Sequence, residues 1–78
     1  MTHQIQIFDE IDNAVLVKIY NELKMIDFGS DIELVIASYG GSILDTVGII
    51  DLLKPYHTSA NIIGFACSAA AILAISCD

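Results

Sequence analysis

Apolar residues follow two periods along this chain, and the two alternate three times. Residues 4–8 alternate polar and apolar with Ile5 and Ile7 on one face, the two-residue period of a half-buried strand. Val15, Leu16, Ile19, Leu23 and Ile26 then recur at helical spacing, which predicts a helix over 14–26, capped by Asp12 and stopped by Gly29 in a left-handed conformation. Residues 32–37 are apolar except for Glu33, as expected of a strand covered on both faces. After Gly40-Gly41, Ser42 and Asp45 supply a helix start, Ile43, Val47, Ile50 and Leu53 trace an apolar stripe, and Pro55 ends the segment. A third strand over 61–65 and a third helix over 69–75 complete the pattern.

Strand-helix order three times over predicts an α/β fold with a parallel sheet and right-handed crossovers. Every strand-to-helix turn then lies on one carboxyl edge, where open α/β sheets bind ligands. No linker, low-complexity tract or further repeat divides the chain.

Composition narrows the function. With 78 residues, 55% of them hydrophobic, the chain is expected to be at most one domain and to need something more to pack against. Three basic residues against ten acidic ones give a net charge of −7, which argues against nucleic acid because no cationic cluster can displace phosphate counterions. The apolar stretch 62–77 is shorter than the ~20 residues of a membrane span and is interrupted by Gly64 and Ser68. It reads as a buried strand followed by a buried helix, with no membrane partner. Met1-Thr2-His3-Gln4 lacks the basic start and apolar core of a signal peptide, so a cytoplasmic setting is expected. Cys67 and Cys77 make neither a disulfide framework nor a zinc spacing, and no metal or cofactor is expected.

If the strands ending at Ser38 and Phe65 are neighbours, the double glycine and Ser68 face each other across the edge. A serine in the first turn of a helix exposes its hydroxyl, and the next N–H, that of Ala69, has no intrahelical acceptor. Acyl transfer from a peptide develops an oxyanion that two converging N–H groups stabilise, and Gly41 is the natural second donor. Glycine there lets a substrate carbonyl approach the backbone, and Ala66, Ala69, Ala70 and Ala71 keep the surroundings open. Taken singly, the glycines also read as a tight turn, Ser68 as a helix cap and the alanines as packing filler. Their weight lies in occurring together, in order, at the ends of successive strands. Cys67 is the alternative nucleophile. His57 and Lys54 follow a helix end and belong to the opposite edge, and His3 to a mobile terminal segment, so none is placed to take the serine's proton. Tyr20, Tyr39 and Tyr56 read as packing residues, with Tyr39 also placed to shape a substrate groove.

Residues 36–42, Ile-Ala-Ser-Tyr-Gly-Gly-Ser, and 64–71, Gly-Phe-Ala-Cys-Ser-Ala-Ala-Ala, resemble two segments of the Clp protease proteolytic-subunit (ClpP) family, its Asn-Ser-Pro-Gly-Gly run and its Gly-x-Ala-Ala-Ser nucleophile turn. The resemblance is closest to the phage branch, the ClpP-like head-maturation (prohead) proteases, and runs from Ile5 to Asp78. It implies a ClpP/crotonase-like spiral of repeated β-α units, of which residues 1–78 are a single partial domain, truncated after the nucleophile helix. It also implies a serine endopeptidase working through an acyl-serine, with Ser68 as nucleophile and the Gly41 and Ala69 N–H groups as oxyanion hole. A polypeptide substrate, a homo-oligomeric ring, an AAA+ unfoldase or phage capsid and scaffold proteins, and a cytoplasmic location, the host's if phage-encoded, follow in the same way. Tyr39 stands where the family usually has proline, and the family's catalytic histidine and aspartate follow the serine at positions later than this chain reaches. The chain by itself is therefore expected to be inactive. Asp78 resembles a residue closing the nucleophile helix in the phage branch and is not assigned to the triad. Three other readings stay open: a lysine base, as in the signal-peptide-peptidase-like branch, an acyl-CoA-binding crotonase-like protein, and a non-catalytic assembly module of the same fold.

Overall fold

The computed structural model describes residues 2–77. Their order is β1 (Thr2–Ile7), α1 (Asn13–Leu23), β2 (Asp31–Ser38), α2 (Ile43–Leu53), β3 (His57–Ala66) and α3 (Ala69–Ile75). The strands form one parallel sheet in the order β1-β2-β3. Both crossovers step in the same direction, and right-handed connections then stack their helices on one face of the sheet. That face carries Ile5, Ile7, Ile32, Leu34 and Ile36, all nearly inaccessible, against Ile19, Leu23, Ile49, Leu53 and Leu73 of the helices.

The opposite face carries Gln4, Gln6, Glu33 and Asn61, and Gln4 Nε2 donates to Glu33 Oε1 at 2.7 Å. Strand β2, expected to be covered on both faces, is therefore packed under helices on one. Its apolar look comes partly from Val35, which is buried between register neighbours Gln6 and Asn61 by its central place in the sheet.

Asp12 caps α1 as expected, its Oδ1 accepting the Val15 N–H at 3.0 Å. The helix ends at Leu23, three residues before the predicted end, while Ile26 still packs on the core. Gly29 does have positive φ, +86°, but it serves the turn into β2, where its N–H donates to the Pro55 carbonyl at 2.8 Å. In α2, Ser42 caps by accepting the Asp45 N–H at 3.2 Å. The buried stripe is Thr46, Ile49 and Leu53, and the predicted stripe members Ile43 and Val47 are half exposed. A helix apolar almost all round does not specify its own rotation, and Thr46 tolerates burial because its hydroxyl donates to the Ser42 carbonyl at 2.8 Å.

β3 is longer than predicted and lies at the sheet edge, with Ile62 and Ile63 both half exposed. The stretch expected as buried strand and buried helix is an open edge strand followed by a helix that buries Ala69, Ala70 and Leu73. The difference arises because, among the described residues, nothing pairs with the outer side of β3. No helix among them is long and apolar enough to cross a membrane.

Leu34 is fully buried in the central strand, so Leu34→Ala is expected to cost about 2–5 kcal/mol. Asp12→Ala, which removes only a cap, is expected to cost about 1 kcal/mol. Urea unfolding followed by circular dichroism measures both, and equal costs would contradict this placement of the core.

Candidate active site

β2 delivers the chain into the double glycine at the carboxyl edge. Gly40 and Gly41 have φ of +113° and +148°, a region that side-chain-bearing residues avoid. Three hydrogen bonds hold the turn from two sides. Ser38 Oγ accepts the Gly40 N–H at 3.1 Å, while Ile11 N–H donates to the Gly40 carbonyl and Ser42 N–H to the Ile11 carbonyl, each at 2.8 Å. Gly41 lies so close to this strap that a Cβ on it would collide with the Ile11 carbonyl oxygen. Glycine is thus required at 41 by packing on Ile11 and by its positive φ, and the packing is a reason that the sequence does not show.

The turn that carries Ser68 is reached through an irregularity that the hydrophobic pattern does not show. From Ile62 to Ala66 β3 takes four residue steps where β2 takes two, Ile36 to Ser38, and Gly64 within that stretch has φ +80°. Such a bulge re-aims the end of a strand. Pairing resumes at Ser38 and Ala66, and the Cys67 N–H donates to the Ser38 carbonyl at 3.0 Å. Ser68 follows with φ +52° and ψ −122°, the one non-glycine residue of positive φ among the described residues. A side-chain-bearing residue held in such a region costs about 1–3 kcal/mol, and such strain collects at functional sites.

Ser68 is exposed and its hydroxyl makes no capping bond to α3. The Ala69 N–H and the Gly41 N–H have no hydrogen-bond acceptor among the described residues. Between them lies Gly40. A Cβ built there would stand 3.0 Å from both the Ala69 nitrogen and Ser68 Cβ, and 2.9 Å from the Cys67 carbonyl oxygen. Gly40, for which no role beyond the turn was expected, is the residue whose bareness leaves the Ser68 turn and the Ala69 N–H uncovered. The only sequence signal was the doubling of the glycine.

Tyr39 is exposed and stacks on Phe65, ring centroids 4.3 Å apart, which bridges the two turns a second time. A cleft of about 310 Å³ opens beside them, lined by Phe8, Asp9, Glu10, Tyr39, Gly40 and Gly41. Cys67 is exposed beside Ser68 but is not the residue at the strained position. The basic candidates lie elsewhere. His57 opens β3 in register with Asp31, nine residues before Ala66 and so on the order of 25 Å from the turn. His3, expected in a mobile segment, sits in β1 paired with Ile32, also at the amino edge. Lys54 closes α2 at that edge and pairs with Asp51 at 3.0 Å. Tyr56 is buried and donates to the Ile26 carbonyl at 3.2 Å, while Tyr20 lies on the surface under Lys24. Asp78 lies outside the described residues.

The Clp protease family model matches residues 1–78. The catalytic domain of the ClpP protease from Plasmodium falciparum superposes with a TM-score of 0.89 at 25% identity, covering 97% of this chain and 46% of that one. A ClpP1 variant from Listeria monocytogenes gives 0.87 at 20% identity, with 97% and 47% covered, a likeness of fold alone. The chain spans less than half the length of these solved structures. No curated protein matches it.

The hydrogen-bond pattern sets an order of amide exchange. The Gly40 and Cys67 N–H groups, both held by Ser38, are expected to exchange at least about tenfold more slowly than those of Gly41 and Ala69. Exchange followed by nuclear magnetic resonance reads this directly, and an Ala69 amide as protected as that of Ala70 would contradict an open donor.

Proposed function

The chain belongs to the Clp protease family, and from that premise we propose that it supplies the nucleophile and the oxyanion donors of a serine endopeptidase. Ser68 Oγ attacks the carbonyl carbon of a peptide bond, forming a C–O bond as the carbonyl electron pair moves onto oxygen. The N–H groups of Gly41 and Ala69 receive that oxyanion, each worth roughly 3–4 kcal/mol of barrier. Collapse breaks the C–N bond, the amine leaves with the proton that Ser68 gave up, and water then hydrolyses the acyl-serine.

The observation that carries this reading is a contrast between two serines of the same chain, each placed just before a helix. Ser42 has extended backbone, φ −70° and ψ 123°, and caps α2 through its hydroxyl. Ser68 has φ +52°, caps nothing and leaves its hydroxyl exposed beside an unbonded N–H. A helix cap accounts for the first and not for the second. Nor does acyl-CoA binding by two N–H donors account for a strained serine.

The proton acceptor in this proposal lies outside the 78 residues, because His3, His57 and Lys54 all occupy the far edge of the sheet. Histidine is the base of choice by resemblance to the family. A homo-oligomer is proposed as the working form, supported by the apolar outer surface of Val17, Tyr20, Ile43, Leu44 and Val47 and by the open edge of β3. The cytoplasm, with an unfoldase or capsid and scaffold proteins bringing the polypeptide, is the setting proposed from the resemblance of residues 36–42 and 64–71.

In a peptide-hydrolysis assay of the whole protein, Ser68→Ala is expected to lower turnover at least about a hundredfold. Hydrolysis untouched by Ser68→Ala would overturn the assignment of the nucleophile. Residues 1–78 alone are expected to turn over little, and steady hydrolysis by them, lost on Ser68→Ala, would overturn the need for an outside base.

A further inference from the structure

Ser38 touches three segments of the site at once. Its side chain is only 1% exposed. Its Oγ donates to the Asp9 carbonyl at 2.8 Å and accepts the Gly40 N–H at 3.1 Å, and its own carbonyl accepts the Cys67 N–H at 3.0 Å. One residue is therefore bonded to the loop after β1, to the glycine turn and to the residue just before Ser68.

We propose that Ser38 is the positioning residue of this site, setting the glycine turn against the nucleophile turn so that Gly41 and Ala69 present their N–H groups together. The proposal rests on the protease reading above. Gly40 and Gly41 are the residues with the widest backbone freedom, and without a pin the peptide units around them can rotate. The Ser38 hydroxyl takes the Gly40 N–H out of play, which leaves the Gly41 N–H as the turn's free donor. The Ser38 carbonyl fixes where the strained Ser68 begins relative to that donor. Tyr39, between Ser38 and the glycines, adds its stack on Phe65 to the same alignment.

Tyr56 is the matched comparison, since it too is buried and its hydroxyl donates to backbone carbonyls, those of Leu23 and Ile26, but at the amino edge of the sheet and away from both turns. The test uses the whole protein and reads peptide hydrolysis, inhibition by a peptide aldehyde that forms a tetrahedral adduct on serine, and amide exchange at Gly40. For Ser38→Ala we expect kcat to fall at least about tenfold with KM changed by less than about threefold, aldehyde affinity to fall in proportion, and Gly40 exchange to quicken by at least about tenfold. Tyr56→Phe is expected to lower the melting temperature and leave kcat unchanged, while Ser38→Thr, which keeps the hydroxyl, restores Gly40 protection and most of kcat. An unchanged kcat in Ser38→Ala, or an equal loss in Tyr56→Phe, overturns the proposal. Should Ser38→Ala not fold, Ser38→Cys, close in size but a weak hydrogen-bonding group, is read by the same criteria. Hydrolysis that survives Ser68→Ala would remove the protease reading, whereas the Gly40 exchange rate still decides whether Ser38 pins the turn.

Discussion

The backbone hydrogen bond from the Cys67 N–H to the Ser38 carbonyl, with the Ser38–Ala66 pairing beside it, holds the ends of β2 and β3 side by side at the carboxyl edge. It is the last rung of a parallel ladder that has already slipped, because β3 spends two extra residues between Ile62 and Ala66. Were the pairing to end with the bulge, the Ser68 turn would part from Gly40, and α3 would lose its fixed start on the core. With it in place, α3 buries Ala69, Ala70 and Leu73, and the first N–H of that helix is left facing the glycine turn. Packing and chemistry at this edge thus share one constraint.

The sheet behind that edge is stabilised asymmetrically. One face and three helices make a continuous apolar core, while the other face is polar and β3 is open along its side. Small α/β units of this size have little surplus of buried surface over chain entropy. Apolar side chains on α1, α2 and β3 that find no cover among these residues are consistent with a protein that reaches its working stability through further contacts. The strain at Ser68 draws on the same limited stability, and the neighbouring backbone is held on both sides, by the Cys67 N–H on the Ser38 carbonyl and the Ala70 N–H on the Cys67 carbonyl.

The alternation of strand and helix was legible throughout, since it depends on local period and on caps such as Asp12 and Ser42 that act within a few residues. So was the meeting of a double glycine and Ser68 at one edge, because parallel crossovers bring successive strand ends together whatever the side chains are. Boundaries were less legible. α1 stops at Leu23 although Ile26 continues its pattern, and α2, apolar on most sides, turned a different stripe inward.

The sequence by itself therefore determined the parallel α/β architecture and put Ser68, Ala69 and the glycines on the same edge, for these follow from periodicity and turn chemistry. Tertiary structure alone decided which glycine does what, Gly41 yielding to the Ile11 backbone and Gly40 to the Ser68 turn. It also decided that Ser68 adopts positive φ, that Ser38 joins three segments, and that β3 is an open edge. The reason is that these features arise from close backbone approach between residues some 29 positions apart in the chain, as Asp9 is from Ser38, and no local pattern encodes such a distance.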